Sequence, residues 1–238
     1  MLPITVREML AGHFPPRYDV WYSEFEDRVQ AALKPGVQVL DVGSGRRPSL
    51  SVERRPPGCL YAGLDLSAIE LQQAPSGSYD EVHVGDVVKY IPEFDNRFDL
   101  IVSWQVLEHV KPLDVALENL RRYLRPGGQL VAQMSGTFSL FGVINRLVPQ
   151  RLGLWAMKHL LDRDPETVFP AYYDRCWYAA LDRTLLLWTE REIISRYNAA
   201  GYFGFWRPLQ AAYIVYEDWT YRNNHRNLAT HYLIRTVR

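Results

Sequence analysis

Cysteine is scarce in this sequence, with only Cys59 and Cys176 among 238 residues. Two thiols cannot build a disulfide framework, so a reducing compartment is the default. An excess of either charge is also missing: basic and acidic side chains number 27 each, for a net charge of zero. The halves tilt only mildly, with 13 basic and 9 acidic side chains over residues 136–238 against 14 and 18 over 1–135. Nucleic-acid binders ordinarily carry a basic stripe, so no nucleic-acid partner is expected. No uninterrupted apolar run reaches the roughly 18 residues that argue a membrane span. The nearest candidate, residues 138–161, is broken by Arg146, Pro149, Arg151 and Lys158. The N-terminal MLPITVREMLAGHFPP lacks the apolar centre of a secretory signal, so a cytoplasmic protein is expected. Internal repeats and low-complexity tracts are absent as well. What is present is ordinary globular composition, 47% hydrophobic and 23% charged. Its length suits one large domain, or one domain carrying a lid.

Along the chain, apolar runs alternate with helical patterns. Trp21, Phe25, Val29 and Leu33 recur at i, i+4 spacing and predict a helical face within residues 18–33. VQVLDV (37–42) is a short run of the kind buried on both faces of a parallel sheet. CLYAGLDL (59–66), VHVGD (82–86), FDLIVSW (98–104) and QLVAQMS (129–135) predict further strands. A helix is expected over Asp114–Leu124, with Asp114 as its N-cap. Farther on, TEREIISRYNAAGY (189–202) predicts a helix with Thr189 and Glu192 as a capping box and Gly201 as its stop. Residues 202–206 and 228–237 are expected as two final strands, separated by the Tyr- and Trp-rich stretch 213–225. Strands alternating with helices imply an α/β fold with helices on both faces of a parallel sheet.

The chemistry is carried by Asp41-Val42-Gly43-Ser44-Gly45, a strand and an acid followed by a G-x-G turn. Glycine lets the backbone turn tightly and lets a ligand approach closely. Asp65 ends the next strand, twenty residues after Gly45, where a carboxylate can accept hydrogen bonds from both hydroxyls of a ribose. By themselves the two glycines also fit a β–α turn with no ligand. A dinucleotide site wants a third glycine to set a pyrophosphate on a helix N-terminus. That position is Pro48, preceded by Arg46 and Arg47. Asp41 suits a cationic ligand better than a pyrophosphate, which disfavours a nicotinamide dehydrogenase.

With these motifs in order, the sequence resembles the class I S-adenosylmethionine-dependent methyltransferases, in particular the small-molecule group that includes quinone-biosynthesis enzymes. The resemblance covers residues 36–135 and the closing elements. It implies a Rossmann-like, seven-stranded, mostly parallel sheet with a C-terminal lid insertion. It divides a single domain over 1–238 into a cofactor core (18–135), a lid (136–187) and a closing helix and strands with an aromatic insertion (188–238). VLDVGSG supplies Asp41, Gly43, Ser44 and Gly45. YAGLDLS ends in the ribose acid Asp65, followed by Leu66; VGDV places Asp86 at the adenine amino group and Val87 against its ring. FDLIVSWQVLEHV sets Trp104 and Gln105 near the cofactor, and LRPGGQLV is the last motif. Arg46 departs from the family, which often has a small residue there. It is read either as a ligand for the methionine carboxylate or an anionic acceptor, or as a solvated surface charge.

The resemblance implies methyl transfer to an oxygen or nitrogen of a medium-sized metabolite by in-line displacement, with no metal required. His109, beyond the fourth strand, is the candidate general base, although the Glu108-His109 pair also serves packing in the family. His159, His225 and His231 are structural by default, and His225 is the one placed to face an acceptor. Residues 138–161 suit a lid, plain packing, a homodimer contact or peripheral membrane contact. Two other functions stay open: methylation of RNA or protein, and a non-catalytic S-adenosylmethionine-binding partner protein.

Overall fold

The structure is a computed structural model, and it describes residues 22–139 and 171–238 together with 7, 8, 11, 13, 14, 16–18 and 143. Its sheet follows from runs of β-branched and aliphatic residues whose alternate side chains enter two different cores. Strand β1 (Gln38–Val42) lies between β2 (Leu60–Asp65) and β4 (Phe98–Trp104), parallel to both. Strand β3 (Glu81–Val84) extends the sheet beyond β2, and β5 (Leu124–Ser135) extends it beyond β4. Strand β7 (His231–Val237) pairs antiparallel with β5 and with β6 (Glu190–Arg196), completing a seven-stranded sheet in the order β3-β2-β1-β4-β5-β7-β6.

Period-2 alternation sorts each strand between the layers. Val39, Leu100, Val102, Val131 and Leu233 face a core closed by Phe25 and Val29 of helix α1 (Ser23–Ala32). Leu40, Ile101, Leu130 and Ile234 face the opposite core, which is closed by Leu113, Leu117 and Leu120 of α3 (Leu113–Tyr123) and by Leu181 of α4 (Tyr178–Thr184). A short α2 (Ala68–Gln72) follows β2, with the Ser67 hydroxyl accepting from the Glu70 amide at 3.2 Å. A smaller third core gathers Ala199, Ala200, Ala211 and Ile214 around α5 (Arg207–Arg222).

The last quarter of the chain departs from the sequence reading. The expected helix at 189–202 is strand β6, and Thr189 donates to the Val237 carbonyl at 2.8 Å. Ile193 packs into one main core and Ile194 into the other. Two adjacent apolar residues fit a strand buried on both faces as well as they fit a helical stripe, and pairing with β7 decides for the strand. Glu192 therefore bonds Arg28 at 3.0 Å instead of closing a capping box, and Gly201 lies in a 3₁₀ turn over Ala200–Phe203. No strand forms over 202–206, where Phe203 instead packs against Tyr213 with ring centroids 4.5 Å apart. The aromatic stretch after it is helix α5, whose buried positions Gln210, Tyr213, Ile214, Glu217 and Thr220 recur at helical spacing.

Three smaller corrections concern boundaries. Pro112, not Asp114, occupies the N-cap of α3. Tyr18 belongs to a 3₁₀ turn (Pro16–Tyr18) ahead of α1, and Trp21 lies outside the described residues. Of the expected lid, 140–142 and 144–170, including His159, lie outside the described residues. Within 178–187, Leu181 and Leu185 are fully buried in the α3 layer and Leu186 and Leu187 are exposed.

Candidate active site

The loops following β1, β2, β3 and β4 converge at the carboxyl edge of the sheet, the edge where open α/β folds place ligands. The first is the turn after β1. Gly43 has φ +73° and Gly45 has φ +50°, and the Gly43 amide donates to the Leu64 carbonyl at 2.7 Å. A side chain at Gly43 would overlap Val106, which reaches over from the loop after β4. The glycine therefore brings two strand-end loops together as well as relieving backbone strain. Ser44 is buried with its hydroxyl turned under the loop toward Gly63, so the face it offers the cleft is its backbone.

Asp41 is fully buried. One oxygen accepts from the Ser49 hydroxyl at 2.8 Å; the other accepts from the Ser49 amide and the Tyr61 hydroxyl, both at 2.6 Å. Burial outweighs these bonds and pushes its carboxyl up to about 6. Protein donors take both oxygens, and Asp41 clamps the far end of the glycine loop. Nothing local announces those partners. Ser49 lies eight residues away and Tyr61 twenty.

Asp65 is half-buried at the tip of β2. One oxygen accepts from the Ser67 amide at 2.8 Å and the other faces the Cα of Gly45. Burial raises its pKa, opposed by the Ser67 and Gly45 amides. Leu66 beside it is exposed. Arg46 reaches the same spot and forms a two-point ion pair with Glu70, with Nε to Oε2 at 2.7 Å. Arg46 is thus neither a lone solvated charge nor a free anion ligand, and its guanidinium holds the Glu70 carboxyl below its usual range. Glu70 was missed from the sequence, although its place three residues after the cap Ser67 is a recognisable signature.

After β3, Asp86 accepts from the Val88 amide at 3.0 Å. Val87 is buried, and Asn119 of α3 donates to the carbonyls of Val87 and Val88, at 3.0 Å each. After β4, Trp104 packs edge-on against Phe25 and Tyr22, with centroids 4.8 and 4.7 Å away, so its ring backs the site from the α1 layer. Gln105 has φ +56° and donates its amide to the Gln133 carbonyl at 2.8 Å. Its side-chain oxygen accepts from Ser135 at 2.9 Å, while its Nε2 is buried without a partner. His109 sits in the 3₁₀ turn Leu107–His109, its Nδ1 also buried without a partner. Beside it the Glu108 carboxylate accepts from the Ser135 amide at 3.2 Å, and burial raises its pKa, with His109 opposing. Residues 173–176 close this corner: Tyr173 donates to the Glu108 carbonyl at 2.9 Å, and Thr137 to the Cys176 carbonyl at 2.7 Å.

His231 takes no part in this cleft. It is buried next to Arg196 with its Nδ1 3.0 Å from Asn198 Oδ1, and burial pushes its pKa down to about 4. Among the described residues no cluster of three or more His, Cys, Asp or Glu side chains could hold a metal ion, and no helix is long and apolar enough to cross a membrane.

The arrangement can hold an adenosine-type cofactor. It offers close backbone approach at Gly43–Gly45, a half-buried carboxylate at Asp65, a second carboxylate at Asp86 with the Val87 backbone beside it, and an unsatisfied amide donor at Gln105. Comparison with known proteins agrees. The family model described as a methyltransferase domain matches residues 18–202. The chain is similar to a malonyl-[acyl-carrier protein] O-methyltransferase of Pseudescherichia vulneris, 38% identical over 90 residues that make up 38% of this chain and 36% of the relative. It is also similar to a ubiquinone biosynthesis O-methyltransferase of Chelativorans sp. (strain BNC1), 26% identical over 145 residues, 58% of this chain and 52% of that one. The match thus spans a third to a half of these relatives' length. In fold it is similar to a SAM dependent methyltransferase from Archaeoglobus fulgidus, with a TM-score of 0.56 at 16% identity, covering 93% and 94% of the two chains. The chain belongs to the methyltransferase domain family and has the class I, Rossmann-like fold.

Proposed function

We propose that this chain transfers a methyl group from S-adenosylmethionine to an oxygen or nitrogen atom of a medium-sized metabolite by in-line displacement. The observation that carries the reading is the convergence of the Gly43–Gly45 turn, Asp65, Asp86 and the Gln105–His109 turn at one edge of the sheet. The bound cofactor supplies a methyl group already activated by its sulfonium, so the protein's work is alignment and exclusion of water. Asp65 holds the ribose hydroxyls. Asp86 and Val87 hold the adenine, with Leu66 flanking it. Gly43, Ser44 and Gly45 approach the methionine end through their backbone, within a loop that Asp41 keeps in shape. Trp104 backs the site, and the Gln105 amide is a donor toward the cofactor. His109 is the candidate base, needed where the accepting atom must lose a proton.

The small-molecule reading is supported by the neutral charge and by the O-methyltransferase names of the similar proteins. Its compartment is the cytoplasm, in keeping with two free cysteines. The test is calorimetric titration with S-adenosylhomocysteine beside NAD, followed by tritiated methyl transfer to a metabolite panel and to total RNA. Saturable binding of S-adenosylhomocysteine alone, with label in metabolites, is the expected result. Label only in RNA would overturn the small-molecule reading, and binding of NAD alone would overturn the methyltransferase reading.

A further inference from the structure

Where β7 begins, at the same carboxyl edge, the turn between α5 and β7 and the start of α4 line an open surface cavity of about 410 Å³, with Asn224, Arg226 and Asn227 exposed to solvent. Its walls are Tyr178 and Asn224–Leu228. The volume falls within the roughly 300–1,000 Å³ of small-molecule sites. None of these six residues is acidic. The hydrogen bonds already made in the wall decide what it has left to give. Asn227 Oδ1 accepts from the Ala179 amide at 2.9 Å, which fixes the amide orientation and leaves its NH₂ as a donor. The Tyr178 hydroxyl accepts from Arg226 Nη1, so its own hydrogen is available to donate. The Arg226 guanidinium lies over the Tyr178 ring, 4.4 Å from its centroid, and among the described residues no carboxylate pairs with it. Other described arginines are paired with acids, as Arg17 is with Asp218, Arg46 with Glu70 and Arg175 with Asp114. His225 is propped against Trp219 with centroids 4.7 Å apart, and Asn224 turns the chain at φ +54°.

An arginine fork, a hydroxyl donor and an oriented amide donor side by side, with no acid among the described residues of the wall, are matched by an anion. Its place connects it to the methyl-transfer corner. His231 pairs with Ser135 across β5 and β7, and the Gly136 amide donates to the Thr230 carbonyl at 2.6 Å. Glu108 touches Ser135 from the other side. We infer that this cavity binds an anionic group of the acceptor, a carboxylate or a phosphate, with Arg226 and Tyr178 as the residues that select for it. The inference rests on the small-molecule reading above and names the class of molecule methylated.

The test is an NMR titration of the full-length ¹⁵N-labelled chain with sodium phosphate and, separately, sodium acetate, with ionic strength held constant by sodium chloride. Saturable shifts confined to Tyr178 and 224–228, and to the Arg226 side chain, are expected. Saturation by phosphate alone or acetate alone assigns the group. R226Q should weaken binding roughly tenfold, the loss of one charge-assisted hydrogen bond. R226K should keep part of the affinity through its charge, and Y178F should weaken it without altering charge. Shifts that fail to saturate, that spread over the surface, or that R226Q leaves unchanged would overturn the inference. The same samples are titrated with S-adenosylhomocysteine. Its affinity should be equal in wild type and R226Q, and its failure to bind wild type would sink the methyltransferase reading while the anion result stands.

Discussion

Two carboxylates beside the glycine loop do opposite work. Asp65 lies half-buried at the tip of β2 beside Gly45, where the proposed function puts the ribose, so Asp65→Ala should weaken S-adenosylhomocysteine binding by about 1.5–3 kcal/mol for each hydrogen bond lost, read by calorimetry. Affinity unchanged in that variant would refute the ribose assignment. Asp41 faces inward, and its consequence is pH dependence. Its carboxyl is raised from 3.8 to about 6, so the fold prefers the protonated form. The stability this group contributes is fully present below the unfolded value and is lost as pH rises through the folded one. The loss is about 3 kcal/mol. Unfolding free energies of wild type and Asp41→Asn, measured from about pH 4 to about pH 7, should diverge by that order, since only the wild type carries this titration. Parallel curves would show that Asp41 is not desolvated as the structure has it.

At the level of elements, contacts between loops decide shape. Gly43 combines left-handed backbone with a van der Waals seat for Val106. Gly43→Ala should cost about 2–5 kcal/mol, from strain of ~1–2 and overpacking of ~1–3. In a Val106→Gly background the overlapping side chain is gone, and the same substitution should cost only the strain, about 1–2 kcal/mol by denaturant unfolding. Equal costs in both backgrounds would remove Val106 from the account. Helix α5 is docked by a buried acid. Glu217 accepts from the Ala199 amide at 2.8 Å, from the Thr230 hydroxyl at 2.7 Å and from the Tyr18 hydroxyl, tying the turn before α5, the entry to β7 and the N-terminal turn together. Glu217→Ala strands three donors and should cost about 3–5 kcal/mol. Glu217→Gln keeps an acceptor for two of them and can donate to Tyr18, so it should cost far less. A thermal melt of the two variants orders them directly.

At the scale of the whole molecule, one sheet edge collects every loop the proposed chemistry uses, so cofactor binding should be felt as global stability. S-adenosylhomocysteine at a hundred times its Kd should stabilise the fold by about 2.7 kcal/mol. For a domain of this size that is a rise in Tm of roughly 5–10 °C. NAD at the same concentration should leave Tm unchanged. A rise with NAD alone would point to a different ligand class.

Much of this architecture was readable before any coordinates. Strands β1, β2 and β4 and the second half of β5 are dominated by apolar residues because both their faces are buried, and that pattern is local. The acid–glycine spacing around residues 41–45 and the acid at 65 were likewise legible, because a turn's conformational demands fall on the residues in the turn. Long-range pairing decided the rest. Ile193 and Ile194 serve a helix or a two-faced strand equally well until β7 lies alongside. Asp41 is equally acidic facing a ligand or facing Tyr61, and only the packing of β2 against β1 turns it inward. Arg46 is a surface charge in sequence and a partner of Glu70 in space. The sequence by itself determined the central strands β1, β2, β4 and β5 and the backbone turn at residues 43–45. Tertiary structure alone decided which polar groups meet, because hydrogen bonds between residues far apart in the chain leave no periodicity to read.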